Sequence, residues 1–274
     1  MAFERKLYKL YNLIGSKLGL VEKPVDIATF GTTDERLAEM AVAASSGSDD
    51  MMRLFFAHEG RPVHKWMHYL PIYDRWFSRA RGTPVKFLEI GVLDGGSLDF
   101  WRRYFGPEAT IVGIDNNPAC ADRVTPPNIV RIGSQADPQF LEQLAKELGP
   151  FDFILDDGSH VGWHQSASFN ALFAHVKVGG LYIIEDTHTS YFANHDGGYR
   201  RHSSAIELGK TLVDDLHGWY HRHETRPWAK SEIPAVHFYD SMIVVEKDRH
   251  PRPQMLRGGG VPPGWVNPIR PSGR

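Results

Sequence analysis

Two apolar runs in this chain each end in a pair of carboxylates. One is Phe153-Ile154-Leu155-Asp156-Asp157, continued by Gly158-Ser159-His160, and the other is Leu181-Tyr182-Ile183-Ile184-Glu185-Asp186. Acidic oxygens gathered at one place suit a hard cation. Apolar runs bounded by turn signals suit strands buried on both faces, and such strands belong to parallel sheets covered by helices. In an open parallel sheet the ligand crevice lies outside the carboxyl ends of the strands, so neighbouring strands that end this way aim their acids into one site.

A third strand is expected over Val85 to Ile90, running into Glu89-Ile90-Gly91-Val92-Leu93-Asp94-Gly95-Gly96-Ser97 and then a helix. Gly91 and Gly95 let the backbone approach a ligand closely, and Ser97 opens a helix whose free N–H groups can face it. Asp115 follows at the end of Thr110 to Asp115, about 20 residues on, where a carboxylate can accept from ribose hydroxyls. The glycines are not spaced as GxGxxG, and Glu89 would sit badly beside a pyrophosphate. Glu89 suits a cationic amino group instead, and S-adenosylmethionine combines such a group with a ribose and an adenine. The alternative for Glu89 is a strand-end carboxylate that caps the next helix.

These acids need a scaffold. The pattern from Val85 alternates strands (Val85 to Ile90, Thr110 to Asp115, Ile129 to Ile132, Phe151 to Asp156, Leu181 to Asp186) with helices near Ser97 to Tyr104, Pro138 to Leu148, Gly162 to Val176 and Ser203 to Tyr220. That alternation predicts an α/β fold with right-handed crossovers. Ala235 to Tyr239 and Met242 to Glu246, separated by Asp240-Ser241, predict a hairpin that adds one antiparallel strand.

The Glu-x-Gly-x-x-x-Gly-Gly loop, Asp115, Asp156-Asp157-Gly158-Ser159-His160 and Ile184-Glu185-Asp186 together resemble the class I S-adenosylmethionine-dependent methyltransferases. More narrowly they resemble the metal-dependent sugar O-methyltransferases of macrolide and related glycoside pathways, grouped with cephalosporin-hydroxylase-like and rhamnosyl O-methyltransferase proteins. The likeness runs from about Lys65 to Glu246 and includes Thr187-His188-Thr189-Ser190-Tyr191 and His237-Phe238-Tyr239-Asp240-Ser241. It implies a Rossmann-like, mostly parallel seven-stranded sheet with a final antiparallel strand and helices on both faces. It also implies methyl transfer from S-adenosylmethionine to a sugar hydroxyl, with Asp157, Glu185 and Asp186 as ligands of Mg²⁺ and His160 as general base. His164, one helical turn on, is the competing base. Oxygen ligands without cysteine agree with Mg²⁺ on chemical grounds.

By the same resemblance Ser134 and Gln135, after the strand Ile129 to Ile132, are expected at the adenine. Asp156 is expected on the cofactor side, with helix capping by Asp156 or Ser159 as the other reading. Lys65 and Tyr69, in a segment rich in His and aromatics from Met51 to Phe77, are also expected at the cofactor, with His68 as a further pocket-wall candidate. The spacing of Trp66, Leu70, Tyr73 and Phe77 predicts a helix packed on the sheet. His188 and Tyr191 are expected near the acceptor, under a loop from Tyr191 to His202 with the composition of a lid. Catechol-like phenol methylation and a catalytically silent cofactor-binding scaffold are the rival readings.

Composition bounds the rest. With 274 residues, 42% hydrophobic, the chain predicts one large domain over 61–248, a helical extension over 1–60 and a Pro/Gly-rich extended tail over 249–274. A net charge of -2 from 31 basic and 33 acidic residues gives no global field for nucleic acid. Cys120 is the single cysteine, which fits a reducing, cytoplasmic setting. Met1 to Leu20 has amphipathic helix spacing interleaved with lysines, expected to pack on the domain or on a second subunit of a homo-oligomer, or to lie on a membrane surface; no stable membrane insertion is expected. Thr32 and Glu35 are placed as a capping box for a second helix.

Overall fold

The computed structural model describes residues 34–46 and 50–256. The expected helix over Met1 to Leu20, Thr32 of the capping box and the tail beyond Leu256 lie outside the described residues. Helices α1 (Asp34–Ser46), α2 (Asp50–Phe56) and α3 (Tyr69–Phe77) precede the sheet. The aromatic segment is therefore not one helix: Gly60 and Pro62 interrupt it, and Trp66 precedes α3 rather than sharing its face.

From there strands and helices alternate: β1 (Lys86–Ile90), α4 (Gly96–Phe105), β2 (Thr110–Asp115), β3 (Ile129–Ile132), α5 (Pro138–Leu148), β4 (Phe151–Asp156), α6 (Gly162–Leu172) and β5 (Val176–Ile184). Then come α7 (Ala205–Leu216), the short α8 (Ala229–Glu232), β6 (Val236–Tyr239) and β7 (Met242–Lys247). The seven strands form one sheet in the order β3-β2-β1-β4-β5-β7-β6. Pairing is parallel from β3 through β5, and β7 runs antiparallel to both β5 and β6. The hairpin forms as expected, with its second strand inserted beside β5 so that β6 becomes the edge.

Strand alternation explains the two-sided core. In β1, Phe87 faces one layer and Leu88 the other. The first layer is aromatic: Phe77, Phe87, Trp101, Phe105 and Phe153 interlock, with ring centroids 4.8 Å apart for Phe77 and Phe153 and 4.9 Å for Phe87 and Trp101. Such pairs add about 0.5–1.5 kcal/mol each beyond area burial. The second layer is built by α5, α6 and α7 through Leu141, Leu144, Phe169, Leu172, Leu208 and Leu212 against Leu88, Ile154, Tyr182 and Val245.

Local chemistry sets the helix ends. Asp137 accepts the N–H groups of Gln139 and Phe140 at 3.0 and 3.3 Å, with Pro138 at the first helical position of α5. Ser204 caps α7 through the Glu207 N–H, so that helix begins after Ser203-Ser204 and ends at Leu216, before His217-Gly218. No helix among the described residues is long and apolar enough to cross a membrane.

Candidate active site

The strand order reverses between β1 and β4, the switch point at which ligand crevices form in such sheets. The carboxyl ends of β1 to β4 open there into a cavity of ≈ 400 Å³. Its wall includes Lys65, Gly91, Ser97, Asp115, Ser134, Gln135, Asp157, His160, His164 and Asp186, all expected from the sequence. Pro62, Val63 and His64 close one side.

Gly91 makes this closeness possible. Its φ is +96°, and a Cβ on it would overlap the carbonyl oxygen of Asp157. The loop after β1 thus lies directly on the loop after β4. Asp115, at the end of β2, accepts the N–H groups of Val92 and Leu93 at 2.9 and 3.1 Å and that of Asn117 at 2.8 Å. Partial burial opposes its ionisation, yet these donors hold its carboxyl below the ordinary Asp range.

Glu89 is fully buried and is not on the cavity wall. It accepts from Ser97 Oγ at 2.6 Å and Trp101 Nε1 at 3.2 Å, and Lys65 Nζ lies 3.5 Å away. The cation it meets here is Lys65, and burial raises its carboxyl above the usual range despite that ammonium. Asp156 is likewise fully buried, away from the cavity wall, and does not cap α6, whose N-cap is Val161. Its carboxylate accepts from Gln135 Nε2 at 3.0 Å, from Tyr182 at 3.2 Å and from Ser168. Gln135 in turn accepts the Ser159 N–H at 2.6 Å, so Asp156 acts on the loop after β4 through Gln135.

The acidic cluster lies beside the cavity. Oxygens of Asp157 and Asp186 and a ring nitrogen of His160 lie within 4.8 Å of one another. His160 Nε2 is 3.4 Å from Asp186 Oδ2 and 3.9 Å from Asp157 Oδ1, and its Nδ1 is buried with no hydrogen-bond partner. Glu185, one residue earlier, turns inward. Tyr73 donates to its Oε1, Lys65 Nζ lies 3.0 Å from its Oε2, and Gln165 Nε2 donates to its backbone carbonyl at 2.9 Å. Burial and the neighbouring Asp157 push its carboxyl well above the usual range. This set of oxygen donors with one adjacent imidazole fits a hard divalent ion.

Tyr69 lies off the cavity wall, against the acids: its hydroxyl donates toward Asp186 Oδ1 at 2.7 Å and Ser241 O at 3.0 Å and accepts the Asp186 N–H at 3.2 Å. His68 is drawn to the Asp240 carbonyl at 3.2 Å. His164 Nδ1 is 2.6 Å from Ser159 Oγ. Gly95, His188 and Tyr191 are not on the cavity wall. His188 Nδ1 lies 3.9 Å from Asp186 Oδ1, with its ring edge-on to Trp66 at 5.7 Å and to Phe192 at 5.5 Å; burial lowers its pKa. Gly198 N–H donates to Ser190 O at 2.8 Å and Gly197 N–H to Phe192 O at 2.9 Å, so the expected lid segment is folded on itself, with Tyr199 80% exposed.

Three contributors escaped sequence reasoning: Tyr73, Trp101 and Gln165 orient Glu185 and Glu89 from within helices. Their helical spacing marks packing, and nothing in it marks the polar tip as engaged.

A methyltransferase-domain family profile matches residues 88–187. The 8-demethyl-8-(2-methoxy-alpha-L-rhamnosyl)-tetracenomycin-C 3'-O-methyltransferase of Streptomyces olivaceus is 38% identical over 224 residues, covering 76% of this chain and 56% of that protein. The mycinamicin VI 2''-O-methyltransferase of Micromonospora griseorubida is 35% identical, covering 75% of this chain and 53% of that protein. This chain therefore spans about half the length of the curated relatives it matches. The structure of the MycE methyltransferase from the mycinamycin biosynthetic pathway, in complex with Mg, SAH and mycinamycin VI, superposes with a TM-score of 0.66 at 30% identity, covering 90% of this chain and 69% of that one. With its strand order, its cavity at the switch point and these likenesses, the chain belongs to the class I S-adenosylmethionine-dependent methyltransferases, in the family that includes MycE.

Proposed function

We propose that this protein is a Mg²⁺-dependent O-methyltransferase that moves a methyl group from S-adenosylmethionine to a hydroxyl of a sugar or glycoside. The observation that carries the reading is the grouping of Asp157, His160 and Asp186 within 4.8 Å at the rim of a cavity over β1 to β4. The names of the relatives, which methylate rhamnosyl and macrolide sugars, support the acceptor class. The cavity residues run from Pro62 to Asp186, which supports a catalytic unit over 61–248.

Asp157, Asp186 and Glu185 would hold the ion. When bound, it lowers the pKa of an aliphatic hydroxyl and fixes the oxygen near the methyl donor. His160 Nε2, beside both aspartates, takes the hydroxyl proton as the oxygen attacks the methyl carbon. Asp115 accepts from ribose hydroxyls, and the loop from Gly91 to Ser97 leaves room for the rest of the donor. Ser134 and Gln135, on the cavity wall, would contact the adenine. The sulfonium is already an activated leaving group, so positioning is the main task of these residues. A homo-oligomer working in the cytoplasm completes the proposal; the use of a single cysteine, Cys120, fits a reducing setting.

The test is incubation with labelled S-adenosylmethionine, Mg²⁺ and a panel of rhamnosides, mannosides, macrolide glycosides and catechols, read by mass. Methylated glycosides that vanish on chelation and return with Mg²⁺ are expected. Activity untouched by chelator, or confined to catechols, overturns the reading. Light scattering in the same buffer measures the oligomer.

A further inference from the structure

Lys65 stands out among the charged groups near the cavity. Its side chain is 2% exposed, and Nζ lies 2.5 Å from Asp157 Oδ2, 3.0 Å from Glu185 Oε2 and 3.5 Å from Glu89 Oε1. Two of those partners belong to the proposed ion-binding trio. The third member, Asp186, is turned instead to Tyr69 and His160. The lysine thus divides the trio, engaging two acids inside and leaving Asp157 Oδ1 and Asp186 Oδ2 toward His160.

A buried ammonium survives where opposite charge surrounds it, and buried carboxylates need the same. Three carboxylates within 3.5 Å of Nζ supply that opposite charge to Lys65. A divalent ion held by the same acids would lie within a few ångströms of that charge. We propose that Lys65 is the resident counter-cation of this carboxylate cluster and the rival of the divalent ion, and that its ammonium must leave Asp157 and Glu185 before all three acids can hold that ion. This rests on the metal reading above.

The displaced ammonium has a partner waiting. Glu89 is already 3.5 Å away and takes no part in the proposed ion site, so a small shift keeps Lys65 neutralised inside the protein. Lys65 also follows directly on Pro62, Val63 and His64, which wall the cavity, so the exchange sits where ion and methyl donor meet.

The experiment is calorimetric titration of Mg²⁺ into the full chain, with melting temperatures taken with and without the ion, for wild type, Lys65→Met, Lys65→Gln and Lys65→Arg. Removing a unit charge a few ångströms from the ion is expected to tighten Mg²⁺ binding at least about tenfold in Lys65→Met and Lys65→Gln. Lys65→Arg keeps the charge and stays near wild type. Metal-free Lys65→Met is expected to melt lower than wild type and to gain more from Mg²⁺. If it folds only with the ion, the Mg²⁺ dependence of its refolding and the titration of Lys65→Gln supply the comparison. A merely structural lysine would lower melting equally with and without Mg²⁺ and leave affinity unchanged, which overturns the proposal. A wild type that binds Mg²⁺ beside neutral variants that bind no more tightly refutes the rivalry alone. If wild type and all variants leave Mg²⁺ in solution, the metal reading falls as well.

Discussion

His160 Nε2 lies 3.4 Å from Asp186 Oδ2, and both residues hold left-handed backbone, with φ of +54° and +53°. Non-glycine residues adopt that region at a cost of order 1–3 kcal/mol, and such outliers concentrate where a side chain must be aimed. Thr189 secures both turns at once, its hydroxyl donating toward His160 O at 2.9 Å and Asp186 O at 2.7 Å. The loops after β4 and β5 are tied together at the point where their side chains meet.

From that relationship comes the first prediction. His160→Ala removes the base and leaves both aspartates in place. Its kcat is expected to fall by about 10²–10⁴-fold, with Mg²⁺ and S-adenosylmethionine affinities near those of wild type. Single-turnover kinetics with calorimetry check this; a fully active variant would put the base elsewhere, with His164 the next candidate.

Gly91→Ala tests the contact between the loops after β1 and β4. The added Cβ meets the Asp157 carbonyl, in a backbone conformation with φ of +96°. Destabilisation of more than about 2 kcal/mol is expected, together with loss of activity as Asp157 is pushed off position. Urea unfolding measures the first and a methyl-transfer assay the second; a variant as stable as wild type would show that the loop can yield.

Much of this architecture was legible because backbone periodicity speaks plainly. Thr110–Asp115, Ile129–Ile132, Pro138–Leu148 and Phe151–Asp156 form where the apolar patterns and their punctuation put them. Asp157, His160 and Asp186 meet because β4 and β5 are parallel neighbours whose carboxyl ends open on the same side. What one-dimensional reasoning left open was the direction of each carboxylate. Asp156 and Asp157 are adjacent in sequence, but strand alternation sends the first inward to Gln135, Ser168 and Tyr182 and the second to the cavity. Glu89 looked like the partner of a cationic ligand, and a lysine from a distant irregular segment stands there instead. Pairings of that kind depend on long-range packing, which spacing along one segment does not encode.

Tyr73→Phe isolates one such pairing. The hydroxyl donates to Glu185 Oε1 inside the protein, and without it that oxygen has lost its donor. A cost of about 1–3 kcal/mol is expected. The lost donor also removes one influence that lowers the Glu185 pKa, so the carboxyl becomes harder to ionise and Mg²⁺ should bind several-fold more weakly. Thermal melts and calorimetry read the two effects separately; unchanged Mg²⁺ affinity would place Glu185 outside the ion site.

Asp115 carries the prediction about pH. Its folded-state pKa lies below the ordinary Asp value because three backbone N–H groups outweigh the opposing effect of burial. A depressed carboxyl contributes stability that is fully present above the unfolded pKa of about 3.9 and is lost as pH falls through the folded pKa. Wild type should therefore lose this contribution as pH falls below about 3.9 and on through the folded pKa. Asp115→Asn cannot ionise, so it should be less stable than wild type at pH 7, and the gap should narrow as pH falls below about 3.9. It should also bind S-adenosylmethionine more weakly at neutral pH, since the amide is a poorer acceptor for ribose hydroxyls. Urea unfolding of both proteins across pH 3 to 7 decides it: a constant offset between the two curves would mean that the charge on Asp115 contributes nothing and that shape alone accounts for its role.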